Sequence, residues 1–203
     1  DGRVRGSTRF TIKPAALTGV SVTQDGALTY NGTAQAATVK TSATAKGDQS
    51  VTFTYSTEKD GTFNAAVPSF TDAGSHTVWY KAEANNHEAE SGSFTVSIAA
   101  KAVNATIELS GAPFTYTGSA IEPTATVKDG GTTISPSEYT VSYSDNTNAG
   151  TATVTVTNKD GGNYTVSGST TFEIQKADPT VTEAPAANSL TYSGSAQALA
   201  PPC

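Results

Sequence analysis

The residues best suited to bind a ligand lie in the stretch HTVWYKA at positions 76–82. It holds Trp79, the only tryptophan of the chain, two residues before Lys81. If the stretch is a β-strand, Val78 and Tyr80 share one face, while Trp79 and Lys81 share the other. With the valine face buried, the indole points outward, where it could stack on a sugar ring as in carbohydrate-binding modules. We favour the alternative that a neighbouring segment covers the indole, because an isolated exposed tryptophan is uncommon.

Catalytic residues are not indicated by the sequence. The two histidines, His76 and His87, fit structural or surface positions, and His76 falls on the core-facing side of the strand alternation. The acidic residues fall in turns or at solvent-facing positions, without the paired carboxylates that a glycosidase needs. There is no Gly-x-Ser-x-Gly motif, and the single cysteine, Cys203, has no base near it in sequence. We therefore predict no catalytic residues and a protein that is not an enzyme.

Two loops could offer oxygen ligands to Ca²⁺: KDGGT at 128–132 and NKDGGN at 158–163. They lack the alternating acidic residues and the downstream glutamate of a calcium loop, and Asp-Gly is a common turn sequence. The final strands of the repeats contain no asparagine, which argues against an internal Lys–Asn isopeptide bond. We predict turns at both loops, with no metal site and no cofactor.

The charge and hydropathy of the chain exclude two classes of partner. The formal net charge is -6, the isoelectric point is near 4.8, and lysine and arginine form no cluster. This argues against a nucleic-acid surface. No run of about 18 apolar residues is present, so we predict no membrane insertion in this segment. Because the chain begins with Asp1 rather than Met, we expect it to be part of a longer protein.

The strands that would position the candidate residues belong to a repeat in the sequence. Three segments match one another around a Tyr-x-Gly sequence: LTYNGTAQAATV at 28–39, FTYTGSAIEPTATV at 114–127 and LTYSGSAQALAP at 190–201. A second marker is a strand with a Lys/Ala-rich exit, which occurs three times: at 9–15, 93–102 and 171–177. We divide the chain accordingly into the last strand of a preceding repeat, two full units and the start of a further repeat: 1–15, 16–102, 103–177 and 178–203.

Inside each unit the pattern is typical of β-strands. The segments VTFTYS at 51–56, EYTVSYS at 138–144 and TATVTVT at 151–157 alternate with period two. Asn-Gly and Asp-Gly dipeptides separate the strands, as in hairpins. About seven short strands in a unit of this length are typical of a β-sandwich. The first unit has extra residues at 56–68, which predict one or two additional strands.

The segments DAGSHTVWY at 72–80 and NAGTATVTV at 148–156 stand at the same place in the two units. Their layout resembles strand F of immunoglobulin-like domains, in which a tyrosine and a cysteine fill two marked positions. Here those positions hold His76 and Val78 in the first unit, and alanine and valine in the second. The small residues predict a tight corner that leads into a central strand.

Together with the segments that follow them, these stretches resemble the tandem bacterial immunoglobulin-like repeats of the MBG/YDG type. The resemblance covers nearly the whole chain. It implies an all-β fold of tandem immunoglobulin-like β-sandwiches arranged end to end, in a large secreted or cell-surface bacterial protein. It implies no catalytic residues, because such repeats serve as stalks, spacers or adhesive modules.

Two functions remain open at this point. The first is a stalk, spacer or adhesive array whose partners are the neighbouring repeats and a host or environmental glycan or protein. The second is a carbohydrate-binding accessory module of a secreted glycan-degrading enzyme, with Trp79 and Lys81 as the ligand-binding residues. We also expect the two terminal segments to pair with a neighbouring sandwich or another molecule, since they would otherwise expose unpaired strand edges.

Overall fold

The computed structural model describes residues 7–180 and 191–196. The first unit contains ten strands: β1 Ala15–Ala16, β2 Thr18–Asp25, β3 Leu28–Thr29, β4 Gln35–Ala36, β5 Thr38–Thr44, β6 Thr52–Ser56, β7 Ser69–Phe70, β8 Gly74–Glu83, β9 His87–Glu88 and β10 Glu90–Ala99. The second contains nine strands and one 3-10 helix, Pro136–Glu138: β11 Lys101–Ala102, β12 Ala105–Leu109, β13 Phe114–Thr115, β14 Ala125–Asp129, β15 Thr132–Thr133, β16 Tyr139–Ser144, β17 Gly150–Asn158, β18 Tyr164–Thr165 and β19 Ser167–Gln175. Within these ranges no helix has the length and apolar character that a membrane span requires.

The first sandwich is built on the long hairpin of β8 and β10. The two strands pair antiparallel from Gly74 opposite Ile98 to Ala82 opposite Glu90, and the sheet has the order β3-β10-β8-β6. Alternate residues of both strands are buried, so one face of this sheet packs on the antiparallel pair β2-β5. Each fully buried valine contributes about 1.5–3 kcal/mol relative to an exposed one.

The second sandwich repeats this plan. Its main sheet has the order β13-β19-β17-β16, and its other layer is the sheet β12-β14-β15. Four valines are fully buried between the two layers: Val127, Val154, Val156 and Val166. The predicted fold class is confirmed: the described chain is all-β, with two tandem sandwiches.

The predicted corner and central strand are also confirmed. Gly74 begins β8 with φ 135°, and Gly150 begins β17 with φ 138°, a backbone conformation that other residues rarely adopt. Four residues later, Val78 and Val154 have no exposed surface. The same glycine therefore turns the chain into the same central strand in both units.

His76 lies on the buried side of β8, as the alternation predicts. Its ring stacks on Phe70 with the centroids 4.3 Å apart and the planes 9° from parallel. Its Nε2 is 2.9 Å from the carbonyl oxygen of Asp72. The imidazole therefore fills the edge of the core and braces the corner before Gly74.

The extra segment 56–68 of the first unit, for which the sequence predicts one or two additional strands, folds mainly as a loop. It turns immediately, because Glu58 N–H donates to Ser56 Oγ at 3.2 Å and Gly61 N–H donates to Glu58 O at 3.2 Å. A single bridge joins Tyr55 to Asn64. The one additional strand is the two-residue β7 directly after the loop, which pairs with β4.

Strand pairing assigns the residues at the junctions to one sandwich or the other, and the predicted division of the chain stays a prediction. Lys101–Ala102 pairs parallel with β18 and so joins the second sandwich, while Ala15 pairs with β9 and joins the first. Residues 7–14 form no strand, in contrast to the expectation for RFTIKPA, and Phe10 and Ile12 are 83% and 82% exposed. A single extended segment needs a neighbouring strand to satisfy its backbone groups.

The assignment of the two terminal segments to further repeats stays a prediction. In the second of them, residues 191–196 form no strand and Tyr192 is exposed. Cys203 lies outside the described residues.

Candidate functional site

Trp79 and Lys81 occupy the outer face of the four-stranded sheet, on the side of β8 opposite Val78 and Tyr80. Both side chains are half-buried. Strand register surrounds them with hydroxyl residues on β6 and β10: Thr54, Ser56, Ser91 and Ser93. The predicted orientation of the tryptophan is therefore correct, and its ligand-binding role stays a prediction.

The loop 56–68 lies against the indole. Lys59 Nζ is 5.8 Å from the centroid of the Trp79 ring, within the range of a cation–π contact. Ser56, which pairs with Trp79 across the strands, is only 5% exposed beneath this loop. The part of the indole that remains accessible is a partial platform, as expected if the extra segment of the first unit covers it.

The amine of Lys81 has a partner on its own strand. Its Nζ lies 2.9 Å from Glu83 Oε1, and the side chains of Lys81 and Glu83 are 40% and 51% exposed. An exposed ion pair of this kind contributes at most about 1 kcal/mol, so a ligand could displace it at small cost. The face can offer stacking and hydrogen bonds, but it contains no acid positioned opposite a second acid for hydrolysis.

A second cluster connects the two sandwiches, and its central residue is Asn163. This residue immediately precedes β18 in the loop between β17 and the last strand of the second unit. Its Oδ1 accepts a hydrogen bond of 2.7 Å from the backbone N–H of Ala73. Its Nδ2 donates to Asp72 Oδ1 at 3.2 Å. One amide side chain of the second unit therefore forms hydrogen bonds with both the backbone and a side chain of the Asp-Ala-Gly corner of the first unit.

Glu138 orients Asn163 from within the second sandwich. Its Oε2 accepts the backbone N–H of Asn163 at 2.7 Å, and its Oε1 lies 3.5 Å from Asn163 Nδ2. Glu138 ends the 3-10 helix, which Ser135 caps. A Cβ on Gly162 would come within 2.9 Å of Glu138 Oε2, so the absence of a side chain at that position permits this approach. The second sandwich thus fixes the position of the Asn163 side chain that contacts the first sandwich.

Two tyrosines pack edge to face beside Asn163. The rings of Tyr30 and Tyr164 have centroids 5.1 Å apart and planes at 77°. Burial is the largest cause that raises the pKa of Tyr30, followed by the neighbouring Tyr164. The carboxylates of Glu138 and Asp72 act in the same direction, since they disfavour a phenolate. Tyr30 therefore stays neutral over the physiological range.

The Tyr-x-Gly segment and the Asp-Ala-Gly corner thus meet at one place, which we call the joint, made of Tyr30, Asp72, Ala73, Asn163 and Tyr164. The sequence indicates both repeated motifs, but it places Asn163 only in the turn NKDGGN at 158–163 and gives no sign of the role of Glu138. A signal for Asn163 was present, because Asn86 precedes β9 as Asn163 precedes β18.

A cleft of about 300 Å³ lies beside the joint. The first unit lines it with Ala73, Gly74, Ile98 and Ala100, and the second with the turn 158–162, Tyr164 and Thr165. Among the described residues no three acidic, histidine or cysteine side chains converge as a metal site would require. The arrangement can hold two sandwiches together, and it presents no nucleophile with an adjacent base.

His87 has a structural position at the other end of the first sandwich. Its Nε2 accepts the backbone N–H of Lys46 at 2.9 Å, so the ring proton resides on Nδ1, which is 2.8 Å from Asn85 O. Both ring nitrogens are therefore used to hold two loops together.

Comparison with known proteins agrees with the repeat found in the sequence. The MBG domain family matches residues 20–102 and 105–178. No curated protein is significantly similar to the chain. Among solved structures, the fibronectin(III)-like modules of CbhA from Clostridium thermocellum align at 16% identity with a TM-score of 0.26, over 77% of this chain and 95% of that one.

The two matches together span most of the described residues, and their limits agree with the sandwiches observed to within a few residues. Repeats of this kind fit a non-catalytic module of an extracellular protein. The predicted resemblance is confirmed, and the chain belongs to the MBG domain family, of which it carries two tandem copies.

Proposed function

We propose that the chain is a non-catalytic spacer segment of a bacterial extracellular protein, which holds successive sandwiches in a fixed order and presents other modules at a distance. The observation that carries the proposal is the hydrogen-bonded bridge from Asn163 to Asp72 and Ala73. Two sandwiches that moved independently would not keep these hydrogen bonds.

The connection between the sandwiches supports a fixed arrangement. Strand β10 ends at Ala99 and β11 begins at Lys101, so only Ala100 lies between them. A connection this short keeps the two halves of the joint at high effective concentration. The hydrogen bonds contribute about 0.5–1.5 kcal/mol each, and the tyrosine pair adds about 0.5–1.5 kcal/mol. Together these terms favour the closed joint.

An extracellular location is part of the same proposal. The chain belongs to a family of repeats that suits secreted or surface-attached proteins, and it is acidic with one cysteine, at its last position. Its partners in this role are the neighbouring repeats, and an adhesive surface on one of the sandwiches is compatible with it. A spacer needs no cofactor.

The test is the distance between the two sandwiches in solution. Spin labels at Thr95 and Thr171, which are exposed on β10 and β19, report this distance by double electron–electron resonance, with Cys203 replaced by serine. We expect one narrow distribution, which Asn163→Ala broadens. Asn148→Ala is the matched control, because Asn148 is exposed at the far end of the second sandwich. A distribution that is already broad in the parent chain would contradict a spacer function.

The outer face of β8 favours a second candidate, a carbohydrate-binding accessory module of a secreted glycan-degrading enzyme. Its basis is the half-buried Trp79 between Lys59 and Lys81, with hydroxyl residues on both neighbouring strands. A glycan array probed with the chain and with Trp79→Ala tests it, and Thr95→Ala on the same sheet face is the control. Absence of binding, or equal binding by the parent and Trp79→Ala, would remove this candidate.

A further inference from the structure

The end of the second sandwich that points away from the joint has the same construction as the end of the first that forms it. Tyr30 N–H donates to Ala99 O at 2.8 Å, and Tyr116 N–H donates to Gln175 O at 2.8 Å. Both tyrosines follow a two-residue strand that pairs parallel with the last strand of its sandwich. Tyr116 therefore stands where Tyr30 stands, but its side chain is 41% exposed.

The corner residues coincide as well. Gly74 lies opposite Ile98 and Gly150 lies opposite Ile174, so Asn148 and Ala149 take the places of Asp72 and Ala73. An asparagine offers the same side-chain oxygen as an aspartate, so the acceptor for an incoming amide is retained. Ala73 is half-buried at the joint, whereas Ala149 is exposed.

These residues line an open groove of about 480 Å³ together with the chain leaving the sandwich at 176–180. In the first unit the second sandwich lies against the equivalent position beside the exit at Ala100, where it forms the other wall of the smaller cleft of about 300 Å³. The groove at Tyr116, Asn148 and Ala149 thus has the construction that the first sandwich contributes to the joint, but no second sandwich packs against it among the described residues.

The other half of the joint is also repeated in the chain. Lys101 N–H donates to Asn163 O at 2.9 Å, and Ala15 N–H donates to Asn86 O at 3.0 Å. In each unit the asparagine is followed by a ring at the first position of a two-residue strand, Tyr164 in one and His87 in the other. Each sandwich therefore carries an asparagine and a ring at one end, and a tyrosine and an Asp/Asn-Ala-Gly corner at the other. This is the arrangement of a head-to-tail interface that can be repeated along a chain.

We propose that the groove at Tyr116, Asn148 and Ala149 is the docking surface for a following repeat of the same family, which inserts an asparagine as Asn163 is inserted at the observed joint. That asparagine accepts from Ala149 N–H and donates to Asn148 Oδ1, and the ring after it packs on Tyr116. The occupant is a repeat rather than an unrelated partner, because the chain continues beyond the groove with LTYSGSAQ at 190–197. This segment matches the Tyr-x-Gly segment near the start of each unit. The inference rests on the proposed spacer function and extends it to a rule for how successive repeats join.

The experiment lengthens the full chain by one repeat, with a second copy of residues 101–176 inserted after Lys176 and Cys203 replaced by serine. This reproduces the native connection, because Lys176 then precedes Lys101 as Ala100 does. Thr95 and Thr171 occupy equivalent positions in the two sandwiches. One sample carries spin labels at Thr95 and the first Thr171, and the other carries them at Thr171 of both copies.

We expect the two distance distributions to have the same mean and the same width. Asn163→Ala in the inserted copy, and separately Tyr116→Ala in the first copy, should broaden only the distribution across the new joint. Thermal unfolding of each variant checks that the sandwiches remain folded, and Thr140→Ala on the exposed side of β16 is the control.

Each outcome separates the two proposals. A narrow distribution across the native joint with a broad one across the new joint would overturn the docking surface and leave the spacer function standing. Broad distributions across both joints would overturn the spacer function and the docking surface with it. Broadening of the new joint by Thr140→Ala as strongly as by Asn163→Ala would also contradict the docking surface.

Discussion

Strands β8 and β17 are equivalent strands of the two repeats, and they differ in the residues on their outer faces. They begin at glycines with φ of 135° and 138°, and both bury a valine four residues later. The outer face of β8 carries Trp79, whereas β17 has a threonine at the equivalent position. The first unit alone has the loop 56–68, whose Lys59 lies over the indole. The backbone and the buried face are therefore the same in both units, while the exposed face differs where the first unit has additional chain to pack on it.

The buried valines provide the most disruptive test of this equivalence. Val78→Ala and Val154→Ala should each lower the free energy of unfolding of their own sandwich by about 2–3 kcal/mol, because both side chains are fully buried. Urea denaturation followed by Trp79 fluorescence isolates the first sandwich, and NMR resonances follow the second. A loss confined to one of the two variants would show that the cores are not equivalent.

The corner glycines should respond alike, with a somewhat smaller effect. Gly74→Ala and Gly150→Ala place a side chain at φ 135° and 138°, which costs about 2 kcal/mol even though the space around both positions is open. The measurement is the urea midpoint of each sandwich. Ser75→Ala, at the exposed neighbour of Gly74, should change it by less than about 0.5 kcal/mol. Unchanged stability in either glycine variant would contradict the requirement for a positive φ.

The joint should open at alkaline pH because of Tyr30. Its pKa is raised from the ordinary value of 10.0, so the folded state favours the neutral phenol. The contribution of this group to the closed joint is complete below pH 10 and is lost as the pH rises through the raised pKa. The distance between labels at Thr95 and Thr171 should therefore broaden above about pH 10 in the parent.

Tyr30→Phe provides the control for this pH dependence. The variant keeps the ring that packs on Tyr164 and removes the ionisable hydroxyl, so its joint should broaden less over the same range. Identical pH profiles for the parent and Tyr30→Phe would assign the opening to another group.

The smallest effect expected is on the outer face of β8. Lys59→Ala should raise the accessibility of Trp79 to acrylamide, because the cation–π contact at 5.8 Å is removed. The loss of stability should be about 0.5 kcal/mol, as is usual for an exposed contact of this type. Lys40→Ala, which breaks the exposed ion pair with Asp25 on the other sheet, is the matched control. Equal quenching in the two variants would mean that the loop does not cover the indole.

Much of the fold could be predicted because it depends on short-range patterns. Alternation along β8 places Val78 inward and Trp79 outward, and Gly74 marks the turn before the strand. The conformation of the loop 56–68 was harder to predict, because its composition also allows strands. Hydrogen bonds at Ser56 and Glu58 turn the chain directly after β6. The strand expected at 9–14 stays a prediction, since an extended segment becomes a strand only when another strand pairs with it.

The sequence by itself determined the repeat, the period-two strands and the positions where only glycine suits the backbone, because each of these depends on residues near one another in the chain. Only the tertiary structure decided what the repeated motifs are for. Asn163 and Ala73 are 90 residues apart, and no local pattern indicates that the side chain of one would accept from the backbone of the other. That contact exists because two folded sandwiches, joined through Ala100 alone, bring the end of one against the loop of the next.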